Sequence, residues 1–314
     1  SCFLLFDECH KLVKDADYRS DITLPIDDFF KFDQKALVSA TPIELNDPRF
    51  KEQNFQTIEI QPTFDYKKEI WLHHTNNTLQ AFKDTLSKLD NEEAAPLPIC
   101  VFINSTDIIY SLMKQLDLLE ESAVFCAPKS VDKLKKNRFC NVYEQWHKDK
   151  MKRYNFFTSR FFNAVDMELE EQPHVIMLTD VYFAEHTMID PYTDAIQIVG
   201  RFRNGVSSIT YISNTKKGLP QRSKEEIKDY LVYSKEIYRT MKNFYDCATD
   251  RASRDAYRAA LESLPFNKML DRNGRENWFA IDNYIDEELM KNYYYDKGSL
   301  NEAYDNCDSF ISYQ

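Results

Sequence analysis

Glycine is scarce. The 314-residue chain has 5, and none precedes Gly200. A glycine-rich loop of the form G-x-x-x-x-G-K-[ST], whose backbone amides cradle phosphates, is therefore absent. The seven cysteines are scattered and form no C-x-x-C pair, which argues against a zinc site and a disulfide frame. Free thiols in and beside apolar runs fit a reducing compartment such as the cytoplasm. No apolar stretch approaches the roughly 20 residues of a membrane helix. The apolar run at 2–6 is too short for a signal peptide and leads into acid. The adjacent His73 and His74 would face opposite sides of a strand, so they make a poor metal pair. A net charge of -11 excludes attraction of the whole surface to nucleic acid.

Aromatic residues and local charge are plentiful. There are 19 Tyr and 22 Phe. Residues 129–160 hold ten basic residues, Lys135 and Lys136 among them, against three acids. Six aromatics are interleaved there: Phe139, Tyr143, Trp146, Tyr154, Phe156 and Phe157. Cations meet phosphates and rings stack on bases, so the mixture suits single-stranded nucleic acid. A solvated helix face with its own core aromatics is the competing reading.

The pattern predicts an α/β chain in three parts. Residues 1–62 carry a strand at 3–6, a helix at 22–32, a short strand at 36–38 and another at 55–60. Residues 63–214 alternate strands and helices as in a doubly wound parallel sheet. Their strands fall at 70–72, 99–103, 122–126, 154–157, 174–178 and 208–212. A helix at 77–90 places Leu79, Phe82, Leu86 and Leu89 on one face. Thr106 is a candidate cap for the helix after the 99–103 strand. Residues 215–314 read as helical.

Four signals stand in order. Five apolar residues run into Asp7-Glu8-Cys9-His10, as a buried strand delivering two carboxylates to its end. In a parallel sheet ligands bind at that edge. An Asp-Glu pair there suits a metal–nucleotide site, one carboxylate holding Mg²⁺ and the other orienting water. An acidic turn is the alternative. Ser39-Ala40-Thr41-Pro42 follows the next strand. Thr158-Ser159-Arg160 begins a loop that runs to Asp166. Gln197-Ile198-Val199-Gly200-Arg201-Phe202-Arg203 ends a later helix. Asn104-Ser105-Thr106 after the 99–103 strand is either a helix cap or a phosphate contact.

Together these motifs resemble those of superfamily 2 helicases of the DEAD/DEAH-box type, in a DECH form. The resemblance covers roughly residues 1–214 and implies two RecA-like domains. It makes 1–62 the end of the first, 63–214 the whole second, and 215–314 a helical appendage. It implies ATP and Mg²⁺ as cofactors and a single nucleic-acid strand as partner, DNA favoured over RNA. Asp7 would hold Mg²⁺ and Glu8 would polarise the hydrolytic water. His10, Ser39 and Thr41 would couple the nucleotide site to strand binding. Thr158 and Ser105 would contact the strand, with Lys135 and Lys136 nearby. Asp166 and Gln197 would lie near the nucleotide. Arg201 and Arg203 would neutralise charge on the γ-phosphate.

The sequence departs from the family in three places. The phosphate cradle is missing, which implies a C-terminal fragment lacking the first part of its first domain and inactive by itself. Asn163 or Ala164 stands where the family has Gly. Arg203 falls one residue closer to Gln197 than the family's last arginine, so Arg201 is the better match for the finger. Two other functions stay open. One is a non-catalytic module that binds nucleic acid or protein. The other is a duplex-translocating subunit of a restriction-type complex.

Overall fold

The computed structural model describes residues 2–16, 25–92, 96–163 and 165–314. It divides the chain into two compact units, 1–61 with 220–292 and 62–219 with 293–314. The C-terminal hundred residues are thus shared between the units.

In the first unit, β1 (Phe3–Phe6) pairs in parallel with β2 (Gln34–Leu37). Helix α1 (His10–Lys14) follows β1, and α2 (Ile26–Phe29) and α3 (Pro48–Glu52) flank β2. The sequence predicts a buried strand at 3–6, and this is corrected. Phe3 and Leu5 are 60% and 52% exposed. Alternate residues of a strand face opposite sides, and here only one side is packed. That side supports a core of Leu12, Val13, Phe29 and Phe30. The predicted strand at 55–60 does not form among the described residues: Ile58 and Ile60 are exposed, with no neighbouring strand to pair them. The predicted helix at 22–32 shrinks to α2, and its first three residues lie outside the described residues.

The remainder of this unit is helical. Helix α8 (Lys224–Cys247) starts at a capping box in which Ser223 and Glu226 satisfy each other's backbone amides. It is followed by α9 (Arg251–Ser263) and α10 (Trp278–Tyr293). Phe279 and Ala280 of α10 join the core beneath α1, while Ile281 and Ile285 pack with Ile227 and Leu231 of α8.

The second unit is built on an eight-stranded sheet in the order β10-β3-β9-β8-β4-β7-β5-β6, in which every pairing is parallel. Its strands are β3 (Lys68–His74), β4 (Ile99–Phe102), β5 (Ser122–Phe125), β6 (Val142–Tyr143), β7 (Tyr154–Phe157), β8 (His174–Thr179), β9 (Ser208–Ser213) and β10 (Phe310–Tyr313). Helices α4 (Thr78–Glu92), α5 (Thr106–Gln115), α6 (Pro128–Lys136), α7 (Asp194–Gly200) and α11 (Lys297–Asp305) connect them. Strands β4, β5, β7 and β8 are buried along their whole length, as parallel strands covered on both faces must be. The α/β parallel-sheet class read from the sequence is the observed one. Because all strands run one way, their carboxyl ends share one edge.

Strand β10 departs from the helical reading of the tail. It pairs with β3 from Phe310↔Lys68 to Tyr313↔Trp71 and extends the sheet at that edge. Tyr294, just after α10, fastens this segment further. Its hydroxyl donates to Ile189 O at 2.7 Å, accepts from Ile189 N at 2.9 Å and touches the Tyr211 hydroxyl. Ile189 lies shortly before α7, so the C-terminal segment helps to place that helix.

Candidate functional site

The first cluster sits where β1 and β2 end. Leaving β1, the chain turns sharply at Glu8, whose φ of 53° is in the left-handed region that non-glycine residues avoid. Its N–H donates to Asp7 Oδ1 at 2.8 Å. Cys9 N donates to Val38 O at 2.9 Å, binding the turn to the end of β2. His10 is buried, and its Nδ1 lies 2.9 Å from Ser39 Oγ and 3.3 Å from Glu8 Oε2. The same Ser39 Oγ accepts from Thr41 N at 3.0 Å. Residues 29 positions apart thus form one polar cluster holding Glu8, His10, Ser39 and Thr41. Burial, together with the charges of Glu8 and Asp7, pushes the Cys9 thiol above its usual pKa. Cys9 therefore behaves as a small apolar core residue.

Asp7 is exposed beside Glu8. A single accessible carboxylate fits Mg²⁺, which keeps most of its waters and takes few protein ligands. No group of three or more His, Cys, Asp or Glu able to hold a metal occurs among the described residues.

The second cluster lies in the other unit. Met167 and Phe202 form a parallel bridge that joins the loop after β7 to the end of α7. Met167 N donates to Arg201 O at 2.7 Å, and Arg203 N donates to Met167 O at 3.3 Å. This clip brings Asp166 beside both arginines. Arg203 donates to the two Asp166 oxygens, each at 2.9 Å. Arg201 reaches Asp166 Oδ1 at 3.3 Å and also donates to Gln197 O at 3.1 Å and Gln197 Oε1 at 2.9 Å. Arg201 is 8% exposed, whereas Arg203 is half-exposed. Of the two, Arg203 is the side chain available to an incoming anion. Ala164 lies outside the described residues, while the carbonyl of Asn163 accepts from Arg201 at 3.5 Å.

The predicted strand-contacting residues have separate fates. Thr158 directly follows β7 and is buried, opening the 3₁₀ turn Ser159–Phe161. Ser105 is the N-cap of α5, its Oγ accepting from Ile108 N at 3.3 Å. This corrects the expectation that Thr106 caps that helix, since Thr106 is already its first residue. Lys135 and Lys136 are exposed near the end of α6.

The aromatics among the basic residues do not form a stacking platform. Phe139, Tyr154, Phe156 and Phe157 are buried, and Tyr143 and Trp146 are half-buried. Alternation of basic and aromatic residues here reflects sheet residues followed by exposed ends. Several cations also have partners: Lys133 pairs with Asp107, Lys148 with Glu170 and Arg153 with Asp90. Sequence reasoning missed the role of Asn104. Its Nδ2 donates to His186 O at 3.0 Å, and its Oδ1 accepts from Ser159 N at 3.4 Å, cross-linking three strand-end loops. A polar residue directly after a buried strand was the available signal.

No helix among the described residues is long and apolar enough to cross a membrane. No family model matches the chain, and no curated protein matches it. Among solved structures, S. cerevisiae Dbp5 bound to RNA and ADP BeF3 is similar with a TM-score of 0.41 and 13% identity, covering 91% of this chain and 63% of that one. A variant of S. cerevisiae Dbp5 in the same complex gives the same values. The C-terminal domain of the DEAD-box protein Dbp5 is similar with a TM-score of 0.30 and 13% identity, over 55% of this chain and 86% of that one. The chain thus spans less than two thirds of the length of the longer Dbp5 chains.

Proposed function

We propose that the chain is part of a nucleic-acid-dependent ATP hydrolase of the helicase type. The observation that carries this reading is the cluster in which Arg203 and Arg201, the latter also bonded to Gln197, converge on Asp166. A pair of arginines held by one carboxylate can be transferred to a phosphoryl group, whose oxygens offer more negative charge. Asp7 would hold Mg²⁺ and Glu8 would orient the attacking water, with His10 fixing the carboxylate of Glu8. Ser39 and Thr41 lie in the same cluster, so a change at Ser39 is felt at Glu8 through His10. Thr158 and Ser105 belong to the strand-end loops of the second unit, and Lys135 and Lys136 would meet phosphates of a single strand.

The test is strand-stimulated ATP hydrolysis by the full-length gene product, with Glu8→Gln and Arg203→Ala alongside. Stimulated turnover that is lost in both variants supports the reading. DNA and RNA strands compared in the same assay decide the proposed preference for DNA. Displacement of a complementary strand distinguishes a helicase from a duplex translocase.

One observation favours a second reading. Arg201 is buried, and its guanidinium is committed to Gln197 and Asp166 in its own unit. A module that binds strands without hydrolysis would show these features. Strand binding with no turnover from the full-length gene product would establish it.

A further inference from the structure

Two large aromatic side chains stand in solvent at the carboxyl edge of the eight-stranded sheet. Tyr182 and Phe183 follow β8 and are 62% and 61% exposed. Their loop is tightly fixed. Asp180 N donates to Thr187 Oγ1 at 3.0 Å, and Val181 N donates to Asn214 Oδ1 at 2.7 Å. Asp180 Oδ1 accepts from Asn214 Nδ2 at 2.7 Å and from Phe183 N at 3.2 Å. The far end is held by the bond from Asn104 to His186 O. Val181, between Asp180 and Tyr182, is buried. The loop is therefore anchored on both neighbouring strands while presenting its two rings outward. An ordered loop that displays aromatic faces loses little freedom on binding a flat ligand.

The strand order supplies the setting. β8 lies between β9 and β4, and β7 lies beyond β4. At the same edge Lys216 and Lys217 follow β9, and Arg160 follows β7. Lys216 pairs with Glu185 of the aromatic loop at 3.4 Å, while Lys217 and Arg160 are exposed. The rings thus stand between cations, along the edge at which parallel sheets bind ligands. Alternating cations and exposed rings match the alternation of phosphates and bases in a single strand.

We infer that Tyr182 and Phe183 form a base-stacking site for single-stranded nucleic acid, flanked by phosphate contacts from Lys217 and Arg160. The inference rests on the proposed nucleic-acid reading and places the stacking function outside the basic 129–160 stretch, where the rings are buried. No base-specific hydrogen bond is required, so the site accepts any base.

Binding of fluorescein-labelled oligothymidylate to the full chain tests this, using an intact strand and one with abasic positions at its centre. Wild type should bind the abasic strand more weakly. The Tyr182→Ala/Phe183→Ala variant should bind the intact strand about tenfold or more weakly and no longer distinguish the two. Its salt slope should be unchanged, because no charge has been removed. Tyr182→Phe, which keeps the ring, should bind as wild type does. Equal binding of both strands by the double-alanine variant and wild type would overturn the stacking site and leave strand binding intact. Failure of wild type to bind either strand would overturn the nucleic-acid reading as well. Discrimination retained by the double-alanine variant would place the stacking elsewhere and reassign the exposed rings to a protein partner.

Discussion

Asp282 of α10 accepts two hydrogen bonds from Asn46, one from its backbone N–H at 3.0 Å and one from its side-chain amide at 2.7 Å. Asn46 lies just beyond Ser39-Ala40-Thr41-Pro42. Four residues along α10 from Asp282, Asp286 pairs with Lys14 of α1 at 2.6 Å. Helix α10 therefore braces both segments that leave the ends of β1 and β2. The tail helices give the first cluster support that its own two strands do not provide.

Asp282 is 2% exposed, and burial, with Glu44 and Asp47 adding like charge, pushes its carboxyl up to about 6. Lys228 bonds to the other side of Asn46, its Nζ donating to Asn46 Oδ1 at 3.0 Å. The folded carboxyl thus holds its proton more tightly than an unfolded one. Between about pH 4 and 6 the native state binds more protons, so stability falls as pH rises through this window and then levels. Asp282→Asn should remove that fall. Relative to wild type, the variant should gain on the order of 2–3 kcal/mol between pH 4 and 7. Denaturant midpoints across that range check it; parallel profiles would contradict a buried, titrating Asp282.

Glu8 pays a conformational cost at the turn where its carboxylate is needed. Its φ of 53° is easily reached by glycine and strained for any other L-residue. Glu8→Gly and Glu8→Ala both remove the carboxylate and its approach to His10, so their difference isolates the backbone. Glu8→Gly should be more stable than Glu8→Ala by about 1 kcal/mol. Both should lack strand-stimulated hydrolysis in the full-length protein. Equal denaturation midpoints for the two would show that the turn carries no strain.

The two arginines should separate by stability. Arg201 is buried and holds Gln197 and Asp166. Arg201→Ala should cost about 2 kcal/mol, since it removes charge-assisted bonds to the buried Gln197 and to Asp166. Arg203 is half-exposed, and Arg203→Ala should change stability by no more than about 0.5 kcal/mol. A loss of hydrolysis in Arg203→Ala would then report on the reaction rather than the fold. Similar destabilisation by both substitutions would contradict this division.

Much of the sheet was legible because local pattern and tertiary role agree. Ile99–Phe102 and His174–Thr179 are short, mainly apolar runs that each follow a proline, and both are central strands. Leu79, Phe82, Leu86 and Leu89 lie on one helix face that packs on the core. Where a distant partner decides the outcome, the pattern misleads. Phe310–Tyr313 becomes a strand only because β3 offers an edge more than two hundred residues away. Residues 55–60 have strand-like composition and pair with no strand among the described residues. The interleaved rings of 129–160 have the composition of a binding surface, but the central place of β7 in the sheet buries those it carries. At the candidate site, strand ends identified the residue types. The sharing of Asp166 between Arg201 and Arg203 depends on the Met167–Phe202 bridge, which no local spacing encodes.

Lys135 and Lys136 offer a last separation, between long-range charge and stacking. Both are exposed at the end of α6, whereas Lys133 on the same helix is paired with Asp107 at 2.6 Å. Reversing both charges by Lys135→Glu/Lys136→Glu changes nothing in the core and should leave the fold intact. If these lysines neutralise phosphates, binding of oligothymidylate should weaken. The slope of log affinity against log salt should flatten by about 0.7 for each phosphate of a single strand that is no longer neutralised. The penalty for abasic positions should persist, because the rings are untouched. An unchanged affinity and slope would put α6 outside the path of the strand and leave Lys217 and Arg160 as the cations to test next.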